Sequence, residues 1–427
     1  MKVTATFGSM SVSIPDHGSS SDDVLRRLES FRSGDVGWQN GRAFSLAYSA
    51  GPEALRLAKD AYSAYSSENM LNLDAFPSLR AMQVEVLSIV AKLLGGTDET
   101  VGVFTSGGTE SILTAVHGAR NWGRAKGIDS PNMVLPTTAH AAFSKAAAYF
   151  DVEAIRVPVG DDYRADPRAM ESAVDANTVL MVASAPAYPQ GVIDPVADVA
   201  SIAANHQLLC HVDACMGFTL PWLEQLGEIA VPWNFAVPGV TSMSCDLHKF
   251  GYTAKGAGVL LHRDKSLRRH QSFVTSDWLG GLYGSPALLG TRSGGGLASA
   301  WAVMQHLGAD GYRSLAADAI SARRTIQAGI EAMNGLSVRG RPDATLIAFG
   351  ATNPDELDVY AVADMLWSRH GWYVDRQTPP DSLHLTVNAI HRQTAHEFLV
   401  DLASIVGQLL AHGGGSGDRT RAYGTVE

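Results

Sequence analysis

The chain is 427 residues long, and its 33 lysines and arginines against 43 aspartates and glutamates give a net charge of −10. With 46% hydrophobic and 18% charged residues, it has the composition of a soluble globular protein with a large core. The acidic balance excludes sequence-independent binding of nucleic acid, which needs a basic surface. Three cysteines without CxxC spacing favour a reducing compartment, so we expect a cytoplasmic protein. No apolar run reaches the roughly 18 residues of a membrane span, and we expect none.

In chain order, residues 1–60 begin with a Ser/Gly-rich stretch and are predicted as a partly flexible N-terminal segment. Residues 61–296 alternate helical patterns with short apolar runs, which is typical of buried parallel strands in a large α/β domain. Residues 297–412 begin with a long helical pattern and are predicted as a smaller α+β domain. Residues 413–427 are predicted as a flexible tail. The apolar runs predicted as parallel strands are 101–104, 178–184, 207–214, 241–245 and 258–262.

A glycine turn follows the first of these strands. Residues 105–110 read Thr-Ser-Gly-Gly-Thr-Glu and lead at once into a helical pattern. The free backbone N–H groups and the positive dipole end of such a helix suit a phosphate group. Glycine turns after strands are common, so this turn alone does not separate a phosphate site from an ordinary connection.

Two further strand ends carry side chains that can do chemistry. Asp213 lies near the end of the 207–214 run, at the carboxyl edge where open α/β sheets bind ligands. Lys249 follows the 241–245 run, where a depressed pKa would suit it to imine formation. An aspartate at such a place can also cap a helix, and most lysines are simply solvated.

Together the three features match the needs of pyridoxal 5′-phosphate. The phosphate needs backbone donors, the pyridine nitrogen needs an anionic partner to stay protonated, and the aldehyde needs a lysine. A phosphate turn, a carboxylate and a lysine, all at strand ends, therefore predict this cofactor. The sequence contains no HExxH, GxSxG or strand-end GxGxxG motif, so we expect no metal or nicotinamide site and no serine nucleophile.

The chain resembles the sphingosine-1-phosphate lyases, within the group II pyridoxal-dependent decarboxylase superfamily of fold type I enzymes. The resemblance implies a large domain with a mainly parallel sheet covered by helices, a smaller C-terminal α+β domain, and a homodimer with shared active sites. It runs over residues 38–391. Its motifs are FTSGGTESILTAVHGAR (104–120), TTAHAAFSKAAAYF (137–150), SAPAYPQGVIDPV (184–196), HVDACMGF (211–218), PGVTSMSCDLHKFGYTAKGAGVLLHR (238–263) and DWLGGLYGSPALLGTRSGGG (277–296).

The resemblance implies roles for single residues around the cofactor. Lys249 matches the lysine that binds the cofactor aldehyde, Asp213 the partner of the pyridine nitrogen, and His140 the imidazole that stacks on the cofactor ring. These three are the predicted catalytic residues. The other predicted cofactor contacts are Gly107, Gly108, Thr109, His248 and Thr291, and the neighbouring subunit donates Thr291.

The same resemblance implies a reaction. It is the retro-aldol cleavage of a phosphorylated 2-amino-3-hydroxy compound to an aldehyde and phosphoethanolamine, so the substrate is a small molecule that carries a phosphate. Lys255 matches a lysine that the lyases place near this phosphate, and Asn69 lies in a loop that reaches into their site. Tyr283 is a candidate to take the proton of the substrate hydroxyl, with a packed loop tyrosine as the alternative.

The substrate loop departs from the lyase pattern. Met70, Asn72 and Leu73 stand where lyases commonly carry proline, histidine and proline, and Gln190 replaces an aromatic residue or histidine. An amino-acid α-decarboxylase for acidic or aromatic substrates, with the same cofactor residues, therefore stays open as a second function. A dimer that binds the cofactor without catalysis is a third.

Overall fold

The computed structural model describes residues 13–420, so the predictions for residues 1–12 and 421–427 lie outside the described residues. The helices are α1 Ser21–Ser30, α2 Pro52–Ala64, α3 Pro77–Leu93, α4 Gly108–Arg124, α5 Ala142–Phe150, α6 Pro167–Ser172, α7 Val196–Asn205, α8 Leu220–Gln225, α9 Lys265–Arg268, α10 Gly295–Glu331, α11 Val359–His370 and α12 His391–Ala411. The strands are β1 Val101–Thr105, β2 Asn132–Pro136, β3 Glu153–Val157, β4 Thr178–Ser184, β5 Leu209–Asp213, β6 Ser242–Asp246, β7 Gly258–His262, β8 Phe273–Thr275, β9 Tyr283–Ser285, β10 Leu336–Arg339, β11 Leu346–Ala351, β12 Asp375–Gln377 and β13 Ser382–Thr386.

A seven-stranded sheet forms the centre of the molecule, with the strand order β1-β7-β6-β5-β4-β2-β3. Every residue of β2, β4, β6 and β7 is buried, as expected for a sheet with helices on both faces. All strands run parallel except β7, which is antiparallel to β1 and to β6. The mainly parallel α/β fold is therefore confirmed, whereas the prediction that 258–262 is a parallel strand is wrong.

The direction of β7 follows from its connection. Only residues 247–257 separate β6 from β7, and they contain no helix to carry the chain back to the other end of the sheet. A parallel neighbour needs a crossover of a dozen or more residues, usually helical, so β7 returns beside β6 in the opposite direction. Thr105, Asp213 and Asp246, the last residues of β1, β5 and β6, consequently lie at one edge of the sheet.

The smaller part of the molecule is a four-stranded antiparallel sheet in the order β10-β11-β13-β12, packed against α11 and α12. The long helix α10 contributes Leu297 to the core of the large sheet and Ile330 to the core of the small one. Its regular geometry is interrupted at Gly308, which has a φ of 55°. Because α10 contributes to both cores, it does not mark a boundary between them, and the predicted domain boundary at residue 297 stays a prediction.

The N-terminal segment joins the small core. Phe44 is fully buried there, its ring stacks on His391 with centroids 4.2 Å apart, and its N–H donates to Tyr373. By contrast, α1 has no buried residue, and the partial flexibility of the N-terminal segment stays a prediction.

The first part of the predicted flexible tail is attached to the small sheet. The backbone N–H groups of Gly417 and Asp418 donate to Asp358 at 3.0 Å and to Asp364 at 2.7 Å. Residues 413–420 are therefore held by hydrogen bonds that the glycine-rich composition does not reveal. Within residues 13–420, none of the helices is long and apolar enough to span a bilayer.

Candidate active site

The glycine turn between β1 and α4 leaves no room for side chains. Gly107 has a φ of 139°, which glycine adopts far more readily than other residues. A Cβ atom on Gly107 would lie 2.6 Å from Cε1 of His248, and one on Gly108 would lie 2.6 Å from Sγ of Cys215. The turn therefore presents backbone, and the first N–H groups of α4 are available to an anion.

Glu110 stabilises this turn from within the first turn of α4. Its Oε2 accepts the N–H of Ser106 at 2.6 Å, and its Oε1 accepts the N–H of Leu289 at 3.1 Å. Both carboxylate oxygens of this buried residue are thus engaged by backbone donors. This role of Glu110 was not predicted, although a Glu at the third position of a helix is the usual signal of a capping residue.

Lys249 lies beside a buried carboxylate. Its Nζ is 2.9 Å from Oδ2 of Asp246, the last residue of β6, and Nε2 of His248 is 3.9 Å from the same oxygen. Asp246 is 1% exposed, and its Oδ1 has no hydrogen-bond partner. Asp246 was not predicted as a site residue, although it stands three residues before Lys249 at a strand end.

Asp213 is held ionised at the end of β5. Its Oδ1 accepts the N–H of Cys215 at 3.0 Å and the hydroxyl of Ser244 at 3.1 Å. Burial alone would raise the pKa of this carboxyl, but nearby His140 and the hydrogen bonds from Cys215 outweigh burial and lower it. An ionised carboxylate at this place can keep a pyridine nitrogen protonated.

His140 faces Asp213 as a neutral imidazole. Burial is the main cause that lowers the pKa of His140, although the charge of Asp213 acts in the opposite direction. Its Nδ1 accepts the N–H of Ala142 at 3.1 Å, so the ring carries its proton on Nε2. A flat neutral ring with one N–H donor suits contact with a conjugated ring.

One cavity of about 310 Å³ collects most of these groups. The predicted residues that line it are Gly107, Gly108, Thr109, His140, His248 and Lys249, and the unpredicted ones include Glu110, Cys215 and Asp246. Asp213 lies behind the lining and is linked to it through Cys215.

A second cavity of about 170 Å³ lies next to the first, and Ser106 lines both. It is lined by two cationic residues, Lys255 and Arg292. The Nζ of Lys255 lies 3.4 Å from the carbonyl oxygen of His248 and 5.1 Å from the ring centroid of Tyr48. Although Lys255 as a whole is solvent-exposed, protein surrounds its ammonium group, and this desolvation, with the charge of Lys249, lowers its pKa to about 8.

Arg292 was not predicted as a site residue. Its Nη1 donates to the carbonyl oxygens of Leu289 and Gly290 at 3.3 and 3.2 Å, and its buried Nε has no partner. Burial lowers its pKa, but a guanidinium remains charged at any physiological pH. The smaller cavity therefore holds a permanent positive charge beside the titratable one of Lys255.

Besides Asp213 and Lys255, three predicted residues do not line the cavity around Lys249. Asn69 and Thr291 lie together, with Nδ2 of Asn69 donating to Oγ1 of Thr291 at 3.3 Å. The hydroxyl oxygen of Tyr283 lies beside Gly290, 3.4 Å from the position a Cβ would occupy there. Within one chain, none of the three residues therefore reaches the groups around Lys249.

Comparisons with known proteins agree with this geometry. Residues 8–352 match the model of the pyridoxal-dependent decarboxylase conserved domain. A sphingosine-1-phosphate lyase of Oryza sativa subsp. japonica is 39% identical over 99% of this chain and 79% of its own length. The solved sphingosine-1-phosphate lyase of Burkholderia pseudomallei has a TM-score of 0.89 and 37% identity, covering 95% of this chain and 94% of its own. The chain belongs to the sphingosine-1-phosphate lyase group of the pyridoxal-dependent decarboxylase family.

The family's wider fold extends beyond this group. The glutamate decarboxylase of Lactobacillus brevis superposes with a TM-score of 0.82 at 21% identity, covering 93% of this chain and 95% of its own. This second likeness shows the fold alone. Membership of the pyridoxal-dependent decarboxylase family confirms the predicted fold class and the predicted cofactor, pyridoxal 5′-phosphate.

The residues present fit this cofactor. The side-chain-free turn at Gly107 and Gly108 is a backbone cradle for its phosphate, Lys249 supplies the amine for its aldehyde, and Asp213 supplies the anion for its ring nitrogen. When bound, the cofactor supplies an electron sink for the breaking of a bond at the carbon that bears the substrate amine. The roles of the individual residues stay predictions.

Proposed function

We propose that this protein is a carbon–carbon lyase that cleaves a phosphorylated 2-amino-3-hydroxy compound by retro-aldol chemistry. The bond between C2 and C3 breaks, the C3 hydroxyl loses its proton and becomes an aldehyde, and C2 gains a proton. The products are an aldehyde and phosphoethanolamine, so no water or oxidant is consumed. The similarity to sphingosine-1-phosphate lyases over nearly the whole chain supports a substrate from sphingolipid metabolism.

The observation that carries this proposal is the second cationic cavity. The glycine turn of the Lys249 cavity accounts for the cofactor phosphate, whereas Lys255 and Arg292 face a separate space beside Ser106. A substrate phosphate needs a second anion site of this kind, with a point charge from the lysine and a fixed fork of donors from the arginine.

The side chains of the Lys249 cavity have distinct tasks in this reaction. Asp246 holds the amine of Lys249 in place and can exchange a proton with it across 2.9 Å. When not bonded to the cofactor, Lys249 would be free to deliver a proton to C2 of the substrate. His140, whose Nδ1 accepts from Ala142, presents its Nε2 proton as a donor near Asp213.

The lining of the cavity disfavours the α-decarboxylase. Such an enzyme must hold the α-carboxylate of an amino acid, which usually requires an arginine or lysine besides the one that binds the cofactor. Among the described residues, those that line the Lys249 cavity include the acids Glu110 and Asp246 but no arginine. An α-carboxylate in this cavity would therefore lie near two acidic residues, with no lysine or arginine other than Lys249 among the described residues of the lining.

We further propose a homodimer in which each subunit completes the site of its partner. The hairpin β8–β9 and the residues after it expose a group of large apolar side chains, which isolated soluble chains seldom do. They belong to the segment that carries Tyr283 and leads to Thr291, so a partner that covers them would meet these residues as well. The exposed apolar residues are Phe273, Val274, Trp278, Leu279, Leu282, Leu288 and Leu289.

In such a dimer, Asn69 and Thr291 contribute to the same site, because they are hydrogen-bonded to each other. Besides the side-chain hydrogen bond, the N–H of Met70 donates to the carbonyl of Arg292 at 2.9 Å, and that of Gly294 donates to Glu68 at 2.8 Å. These hydrogen bonds fix the loop that carries Asn69 relative to the loop that carries Thr291. If Thr291 serves the partner's cofactor, Asn69 serves the partner's substrate.

We also propose that the protein works in the cytoplasm. Cys210, Cys215 and Cys245 are buried free thiols in the described structure, and burial raises the pKa of each. Buried protonated thiols with no disulfide suit a reducing compartment.

Product identification tests the lyase proposal. The cofactor-loaded protein is incubated with long- and short-chain 2-amino-3-hydroxy phosphates and with acidic and aromatic amino acids, and the products are identified by mass spectrometry with trapping of CO₂. We expect equimolar aldehyde and phosphoethanolamine from the phosphates, and no CO₂. Lys249→Ala should give no product and no borohydride-fixed cofactor mass, because the amine is gone.

Two results would overturn the proposal. CO₂ from amino acids without aldehyde from any phosphate would make the protein a decarboxylase. A bound cofactor whose absorbance no amine perturbs, together with an absence of products, would make it a non-catalytic dimer. Lys59→Ala, which removes an exposed lysine of α2, is the matched control and should leave products and adduct mass unchanged.

A further inference from the structure

A row of hydrogen-bonded side chains lies behind Asp213. Oγ of Ser242 is 2.8 Å from Nδ1 of His211, Nε2 of His211 is 3.2 Å from Oγ of Ser244, and that hydroxyl donates to Oδ1 of Asp213 at 3.1 Å. The register of β5 and β6 places His211 opposite Ser242, and Asp213 opposite Ser244. His211 and Ser244 have no solvent exposure. The row therefore forms one buried network on a single face of two neighbouring strands.

The direction of every hydrogen bond in this row is determined. An ionised carboxylate only accepts, so the single proton of the Ser244 hydroxyl is directed at Asp213. Ser244 must then accept from Nε2 of His211, and the thiol of Cys215 donates to it at 3.3 Å. Burial lowers the pKa of His211 to about 4, so the neutral ring has no proton on Nδ1 and accepts there from Ser242.

At the Asp213 end of the row, the carboxylate accepts a second hydrogen bond. Oδ1 of Asp213 also accepts the N–H of Cys215 at 3.0 Å. Two donors on one oxygen prevent the carboxylate from turning and favour its ionised form. His140, which lies outside β5 and its following turn, also acts on Asp213 and lowers its pKa.

We propose that Ser244 and His211 are positioning residues that hold Asp213 in one orientation for the ring nitrogen of the bound cofactor. Both are fully buried, and the hydrogen-bonded row connects His211 to Asp213 through Ser244. Their effect on the ring nitrogen passes through the Asp213 carboxylate. It must therefore be lost when the ligand offers that carboxylate nothing to bind.

A pair of ligands gives the decisive test. Binding constants are measured at one pH by fluorescence titration, for pyridoxal 5′-phosphate and for its analogue with carbon in place of the ring nitrogen. Ser244→Ala should weaken binding of the cofactor by about tenfold or more, the usual effect of losing a hydrogen bond to a charged group. Binding of the analogue should be unchanged. Ser244→Thr, which keeps the hydroxyl, should restore the preference for the natural cofactor.

The matched control is Thr178→Ala. Thr178 is also buried and its hydroxyl also donates to an aspartate, Asp175 at 3.1 Å, but it lies at the opposite end of β4 from the site. Its loss should lower stability without changing either binding constant. If Ser244→Ala does not fold, His211→Phe keeps a ring against Phe143 and removes the donor to Ser244. It should shift the same preference in the same direction.

Two outcomes would overturn the proposal. If Ser244→Ala weakens both ligands equally, Ser244 only supports the fold. If it weakens neither, Asp213 needs no support from the row. Neither outcome bears on the lyase proposal, which depends on the products formed.

Discussion

Lys255 is the residue whose charge state decides how well a phosphorylated substrate binds. Desolvation of its ammonium group, with the neighbouring charge of Lys249, lowers its pKa to about 8. A lysine is charged below its pKa and neutral above it, so Lys255 loses its charge as the pH rises through about 8. A phosphate monoester is already dianionic there, because its second pKa is about 6.

We therefore expect kcat/KM for a phosphorylated substrate to fall as the pH rises above about 8. Lys255→Arg should extend the plateau to higher pH, because a guanidinium stays charged. Lys255→Ala should raise KM by about tenfold or more at neutral pH and remove this alkaline limb. Steady-state kinetics over a pH series provide the measurement, with Lys59→Ala as an exposed control. An unshifted limb in Lys255→Arg would assign the titration to another group.

The structure gathers most of the residues predicted to contact the cofactor in one cavity, whereas those predicted to contact the substrate are dispersed. Gly107, Asp213 and Lys249 stand at strand ends, so their placement follows from the sheet. Arg292 and Asn69 lie on loops whose positions depend on hydrogen bonds between distant segments. No local pattern in the sequence reports such pairings.

At the scale of elements, the turn between β1 and α4 is the part of the site with the least tolerance. A Cβ at Gly107 would meet the ring of His248, and the backbone there adopts a φ of 139°. A side chain at Gly107 would therefore be unfavourable for two reasons. Its backbone conformation would be strained, and its Cβ would clash with His248. A control glycine with a positive φ but no close neighbour separates the effect of backbone strain from that of the clash.

Gly107→Ala should weaken cofactor binding by about tenfold or more, because the ring of His248 must move out of the cradle. Gly127→Ala is the control, since Gly127 has a φ of 87° but no atom within 4 Å of its would-be Cβ. It should lower the free energy of unfolding by about 1 kcal/mol with unchanged cofactor affinity. Cofactor titration and urea unfolding measure the two effects. Equal cofactor affinities of the two variants would contradict a steric role for the turn.

The elements themselves could be predicted in part. In the seven-stranded sheet, five apolar runs were recognised as strands, whereas β2 and β3 were missed. β2 ends in a proline, and β3 is only partly buried. The same runs carry no information about direction, so β7 was assigned wrongly. Its antiparallel course depends on the length and conformation of the preceding loop.

At the scale of the whole molecule, mixing two inactive variants distinguishes an active site shared between subunits from one formed within a single subunit. Lys249 and Thr291 lie in the same chain, but only Lys249 lines the cavity described above. If the proposed dimer is correct, each site combines Lys249 of one subunit with Thr291 of the other. Two inactive variants can then complement each other.

We expect Lys249→Ala and Thr291→Asp each to be inactive alone, the second because it sets a negative charge against the cofactor phosphate. Mixed after gentle unfolding and refolding, they should recover about a quarter of wild-type activity, since half of the dimers are mixed and hold one intact site. Activity and mass by light scattering are measured together. A double variant carrying both changes in one chain, mixed with Lys249→Ala, is the control and should stay inactive. No recovery in mixed dimers would place both residues in the same subunit's site.

The position of Phe44 has a consequence for synthesis of the protein. The carbonyl of Ala43 accepts from His391, 348 positions later, and Phe44 stacks on that same histidine. A ribosome adds about 5–20 residues per second, so the nascent chain carries this phenylalanine without its final neighbours for roughly 20 to 70 s. During that interval an aromatic side chain destined for a dry interior is open to chaperones and to other nascent chains. Helix α12, which is synthesised late, thus completes a core to which Phe44, synthesised at an early stage, also belongs.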